Sequence, residues 1–179
     1  MLLYLRRLQN TKGFYGGLDD INFKKIMIAT DGSECSKFAA NRGIELAHRS
    51  GGTVYAVHVV PTAYLLPLDG DYFSSMGINP YWDPTYEVMY ETLNKQGQQD
   101  INYVKSLGEM RGVAVEPVLL DGHPAEELIR YAEKERMDII IMGTHGKKGL
   151  DRLLLGSVAE NLVRHSKVPV MVVGEKCKS

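Results

Sequence analysis

The sequence predicts an α/β fold, a single domain whose mostly parallel sheet is covered by helices on both faces. Two observations carry that prediction. Short apolar runs rich in β-branched residues alternate with longer segments of helical periodicity, in the order β-α-β-α-β-α-β-α-β. Parallel neighbours need a crossover between them, and crossover helices bury the sheet. The second observation is local. Met137-Asp138-Ile139-Ile140-Ile141-Met142 passes directly into Gly143-Thr144-His145-Gly146-Lys147-Lys148-Gly149, and a helical pattern opens at Gly156-Ser157. A strand, a glycine-rich loop and a helix N-terminus in succession suit phosphate binding. Glycines let N–H groups approach an anion, and the first helical turn adds unpaired donors and the positive end of a dipole. The same stretch also reads as a glycine-rich connection that binds nothing.

The elements follow in order. Phe23 to Asp31 is a strand that stops at the sharp turn Asp31-Gly32-Ser33. Ser33 can cap a helix over 34–50, with Glu34 in its first turn and Gly51-Gly52 at its end. Residues 53–60 form the second strand, which Pro61 stops; His58 within it reads as a buried or half-buried histidine. Residues 61–83 hold prolines, glycines and five aromatic residues, and read either as cover for a ligand or partner or as a loop over their own core. A long helix spans 84–110, with Gly97 on its apolar stripe marking a close approach to the sheet. The third strand spans 113–120, and Pro117 puts it at a sheet edge. Pro124 opens a helix over 124–136, the fourth strand is 137–142, the fourth helix 157–166 and the fifth strand 168–173.

Composition bounds the chain more loosely. Its 179 residues suffice for one sizeable core, and 44% hydrophobic with 24% charged residues is ordinary for a globular protein. A net charge of −1 gives no general attraction to nucleic acid or anionic membrane. No apolar run approaches the about 20 residues that span a bilayer. The cysteines, Cys35 and Cys177, form neither a metal-ligand cluster nor a disulfide framework, and a reduced cytoplasmic protein is expected. Residues 1–22 read as an extension or linker outside the core, with Met1 to Leu8 apolar around two arginines as a short docking helix; 23–174 reads as the α/β domain and 175–179 as a charged tail.

The spacing Gly143-x2-Gly146-x9-Gly156-Ser157 is neither a Walker A loop nor a G-x-G-x-x-G fingerprint. It resembles the ATP-binding signature of the universal stress protein family, and the resemblance covers about residues 23–174. It implies a five-stranded parallel sheet of order 3-2-1-4-5, a Rossmann-like, flavodoxin-related arrangement. In that order the crevice where strand order reverses lies between strands one and four, where ligands bind in open α/β sheets. The ends of those strands are Ala29-Thr30-Asp31 and Met142-Gly143. The resemblance implies that ATP, with Mg2+ or Mn2+, is held there. Val59 at the end of strand two matches the backbone contact to adenine, and Ala29 and Thr30 form the pocket wall. Asp31 suits a ribose hydroxyl or a hydrated metal, and equally a turn-forming role before Gly32. Backbone N–H groups near Gly146, Gly156, Ser157 and Val158 meet the phosphates; the Ser157 hydroxyl either joins them or caps the helix. Lys147, Lys148 and Arg152 either add positive charge or form a solvated face. A Gly156→Val change is expected to abolish binding, both by filling phosphate space and by opposing any positive φ there.

No Ser/His/Asp or Cys/His set and no paired carboxylates stand in a motif. The expected function is therefore a nucleotide-binding regulatory or stress-response protein with at most slow ATP hydrolysis. The alternatives are a small ATP-hydrolysing or nucleotidyl-transfer enzyme at the same site, a receiver-like switch with Asp31 as acceptor, and an interaction protein without nucleotide. The fifth strand is short, apolar and at the inferred sheet edge, and the resemblance implies that two such strands meet antiparallel about a two-fold axis. A homodimer through 168–173 is expected.

Overall fold

The computed structural model describes residues 2–4, 23–64, 84–146 and 155–174. The readings of most of the aromatic loop, of Lys147, Lys148 and Arg152, and of Cys177 fall outside these residues. The strands are β1 (Leu2–Tyr4), β2 (Lys25–Ala29), β3 (Thr53–Val60), β4 (Val115–Asp121), β5 (Ile139–Gly143) and β6 (Val170–Val173). The helices are α1 (Glu34–Ser50), α2 (Pro84–Arg111), α3 (Pro124–Lys134) and α4 (Ser157–His165). The sheet runs β4-β3-β2-β5-β6-β1. Strands β4, β3, β2, β5 and β6 are parallel, so the expected order of five strands is the one observed. Pro117 does lie in an edge strand.

Two cores sit on opposite faces of this sheet. Ile26, Ile28, Val54, Ala56, Ile139 and Ile141 meet Ala40 and Ile44 of α1 and Ile101 and Val104 of α2. Met27, Val57, Val59 and Ile140 meet Leu128 and Ala132 of α3 and Ala159 and Leu162 of α4. Period-two alternation along each strand sends neighbouring side chains to different layers. A strand buried on both faces therefore reads as a continuous apolar run, as β5 does.

Caps explain which boundaries were legible. Ser33 Oγ accepts from the Ser36 N–H at 3.2 Å, and Gly51 at φ +58 closes α1. Where the chain leaves a helix through a backbone hydrogen bond, the next strand starts later than its apolar run. The Val113 N–H donates to Gly108 O at 2.9 Å, so β4 begins at Val115. The Met137 N–H donates to Ala132 O at 2.9 Å after Arg136 turns to φ +54, so α3 ends at Lys134 and β5 begins at Ile139. Asp138 Oδ2 accepts from the N–H groups of Lys24 and Lys25 at 2.7 and 2.8 Å, pinning the start of β2.

The N-terminus departs from expectation. Residues 2–4 are a strand of the sheet, not a docking helix or a segment outside it, and β1 pairs antiparallel with β6. The β6 edge, expected to pair with a second copy of the chain, is paired here by β1 of the same chain.

Candidate functional site

Two connections face each other across the C-terminal ends of β2 and β5. The first is the turn from β2 into α1. The Thr30 N–H continues the ladder to Val57 O at 2.9 Å. Asp31 Oδ1 then accepts from the Ser33 N–H at 3.1 Å and the Ser33 hydroxyl at 2.6 Å. Asp31 is thus a turn-former, and its other oxygen, Oδ2, lies against Gly146 across the crevice: a Cβ on Gly146 would come within 2.6 Å of it. Gly32 has φ +75, which a side chain resists, and a Cβ there would fall on the Asp100 carboxylate.

The second connection runs from β5 toward α4. Gly143 packs directly on the backbone of Cys35, which a Cβ would approach to 2.7 Å. The Thr144 N–H donates to Val173 O at 3.1 Å, and Thr144 O accepts from the Gly156 N–H at 2.8 Å. That last bond joins the two ends of the glycine loop. Two expectations change with it. The Gly156 N–H is engaged by Thr144, which leaves Gly146 and the head of α4 as the donors of this wall. Gly156 also has φ −61 and ψ 150, an extended N-cap conformation open to any residue. What Gly156 supplies is room: a Cβ would lie 3.2 Å from Thr144 O and 3.6 Å from His145 Cα. Ser157 is the first residue of α4, and Gly156, not Ser157, occupies the N-cap position. Ser157 and Val158 thus head the helix, where N–H groups have no carbonyl one turn back.

Between the two connections lies a cavity of 680 Å³. It is within the usual size of small-molecule sites, roughly 300–1,000 Å³. All ten residues singled out from sequence line it: Ala29, Thr30 and Asp31 at the end of β2, Val59 of β3, Met142 and Gly143 of β5, Gly146, and Gly156, Ser157 and Val158 at α4. Val57, Leu128 and Ala159 add apolar surface, and Leu93 and Gln96 of α2 close one end. His145 reaches the cavity too; its Nδ1 is 3.0 Å from Thr144 Oγ1, and its buried Nε2 has no hydrogen-bond partner among the described residues.

Sequence reading missed the support behind the first turn. Asp100 of α2 is 6% exposed, accepts from Gln96 Nε2 at 2.9 Å and lies 3.4 Å from His58 Nδ1. The histidine that had no partner nearby in sequence therefore has a carboxylate neighbour in space. Gly97 permits this, since a Cβ there would sit 2.7 Å from His58 Cδ2. The signal was present: Gly97, Asp100 and Val104 recur at helical steps on the buried face of α2.

Cys35, 6% exposed at the head of α1, is disulfide-bonded, contrary to the reduced thiol expected. The described residues lining the cavity include no lysine or arginine. Nearby on α1, the Lys37 ammonium bonds Glu34 at 2.7 Å, and that hydrogen bond holds its pKa above the usual lysine value. Among the described residues, no group of three or more His, Cys, Asp or Glu is arranged to hold a metal. No helix among them is long and apolar enough to cross a membrane.

Comparison with known proteins bears on the fold and the family. Universal stress protein MJ0531 of Methanocaldococcus jannaschii is 39% identical over 153 residues, covering 84% of this chain and 82% of that protein. The solved structure of MJ0577, from the same organism, superposes with a TM-score of 0.69 at 30% identity, covering 87% of this chain and 98% of that one. A universal stress protein in complex with cAMP shares the fold, with a TM-score of 0.62 at 21% identity over 86% of this chain and 98% of that one. Residues 22–174 match the model of the universal stress protein family, and the chain belongs to that family.

Proposed function

We propose that the cavity binds ATP and that the protein is a nucleotide-binding regulatory or stress-response protein with at most slow hydrolysis. The observation that carries this reading is the meeting of two unlike walls at the point where strand order reverses. One wall presents a carboxylate, Asp31, fixed for a ribose hydroxyl or a hydrated divalent ion travelling with the nucleotide. The other presents backbone at Gly146 and the head of α4, suited to phosphate. The apolar floor of Ala29, Val57, Val59 and Met142 suits the faces of a purine. His145 Nε2 is a further polar atom for a phosphate oxygen. Positive charge for a triphosphate falls to Lys147, Lys148 and Arg152 in the loop's sequence.

Hydrolysis finds less support. Asp31 Oδ1 is held by Ser33, and His58 faces Asp100, so neither is set up to activate a water. A cytoplasmic location belongs to this reading and rests on the family resemblance, because disulfide-bonded Cys35 removes the argument from reduced thiols. Isothermal titration of the full chain with ATP and Mg2+ tests the reading. Saturable binding at one site per chain is expected, together with nucleotide released on denaturing protein purified from cells. Absence of both would leave the loop as a connection that binds nothing.

A further inference from the structure

Cys35 is disulfide-bonded, and the sequence holds one other cysteine, Cys177. A bond within the chain therefore ties the head of α1 to the segment that follows β6. The geometry around Thr144 allows it. β6 ends at Val173, and Gly174 leaves the sheet against Thr144: a Cβ on Gly174 would lie 2.7 Å from Thr144 Cγ2. Thr144 Oγ1 is in turn 4.0 Å from Cys35 Sγ. Cys177 comes three residues after Gly174, and three residues span at most about 11 Å. Thr144 is also where this bond meets the cavity. Its N–H donates to Val173 O at 3.1 Å, its carbonyl accepts from the Gly156 N–H at 2.8 Å, and its hydroxyl lies 3.0 Å from His145 Nδ1. One residue thus touches the sulfur, the exit of β6 and the closure of the glycine loop.

We propose that the Cys35–Cys177 bond is a reversible redox site, reduced by dithiols in the folded protein, and that it clamps the glycine wall of the cavity through Thr144. Cys35 is 6% exposed, so the attacking thiolate meets the Cys177 sulfur. The S–S bond breaks, a mixed disulfide forms at Cys177, and Cys35 leaves as a thiolate. The head of α1 stabilises that charge, and the Thr144 hydroxyl can donate to it. A leaving thiol of low pKa leaves faster. The second thiol of the reductant then displaces Cys177. The protein gains two electrons and two protons and ends with two thiols, and the dithiol ends as a disulfide. Reduction releases the segment after β6 from α1 and loosens both backbone bonds of Thr144. The proposal is independent of the nucleotide reading, because its readout needs no ligand.

Amide hydrogen exchange on the full chain, without nucleotide or denaturant, tests it before and after dithiothreitol. The chain treated first with glutathione disulfide should resist alkylation by iodoacetamide; after dithiothreitol it should take up two alkyl groups and keep its circular dichroism. In the reduced form the Thr144 and Gly156 amides should exchange at least about tenfold faster, while the Val54 amide, bonded to Ala114 O, keeps its rate. Cys177→Ser should show the fast rates with and without dithiothreitol, which separates loss of the bond from any other effect of the reductant. Equal exchange in the two forms would overturn the proposal. So would thiols that still alkylate after oxidation, a disulfide that joins two chains, reduction only in denaturant, or unfolding on reduction, which would make the bond a structural staple.

Discussion

The two walls of the cavity are built by opposite means. The turn from β2 to α1 is held by side chains: Ser33 grips Asp31, and Asp100, with Gln96 and His58 beside it, fills the space under Gly32. The connection from β5 to α4 is held by backbone, through Thr144 N–H to Val173 O and Gly156 N–H to Thr144 O, and by glycines that let other groups come close. The first wall offers a fixed acceptor. The second offers donors and space. A ligand with a hydroxyl-bearing sugar at one end and an anion at the other suits the pair.

The contrast predicts that changes in the first wall act on stability and changes in the second on binding. Gly32→Ala should have the largest effect. It forces a side chain to φ +75 and onto a buried carboxylate. A loss of about 3 kcal/mol of stability is expected from denaturant unfolding. A loss below about 1 kcal/mol would mean the Asp100 support is soft.

Gly156→Val should do the reverse. Its extended backbone accepts valine, so the fold should survive, and the added methyls enter the space beside Thr144 and His145. A loss of ATP affinity of about thirtyfold, or 2 kcal/mol, is expected by isothermal titration, with the melting temperature little changed. A folded variant that binds like the parent would move the phosphate away from this wall.

These two positions also show how far the sequence could be read. The glycine spacing after β5 was legible because its residues are local, and caps at Ser33 and Gly51 marked α1 for the same reason. Asp100 was legible only as a member of the Gly97, Asp100, Val104 stripe of α2; what it supports stayed hidden, because its contacts with the Gly32 turn and with His58 cross the sequence. The engagement of the Gly156 N–H by Thr144 was equally invisible, since it depends on where the loop closes. β1 escaped because three residues are too few to show a period, and because its partner β6 is at the other end of the chain.

Asp31→Ala should fall between the walls in effect. It removes two turn hydrogen bonds, from the Ser33 N–H and hydroxyl, and the acceptor proposed for ribose. An affinity loss of about 1–2 kcal/mol for ATP is expected. The loss should shrink for an ATP analogue lacking both ribose hydroxyls; an equal loss for both ligands would assign Asp31 to the turn alone.

The smallest effect is expected from the N-terminus. β1 pairs at the far side of β6, so Leu3→Pro should leave ATP affinity within about threefold, roughly 0.6 kcal/mol. A larger change would mean that the N-terminal segment reaches the cavity.

The most direct test of the central claim is a nitrogen–proton correlation spectrum of the full chain recorded while ATP and Mg2+ are added. The account predicts that the amides of Asp31, Val59, Gly143, Gly146, Ser157 and Val158 shift together and saturate at one ATP per chain, while those of the β4 edge stay in place. Shifts confined to other surfaces, or none at saturating ATP, would contradict it.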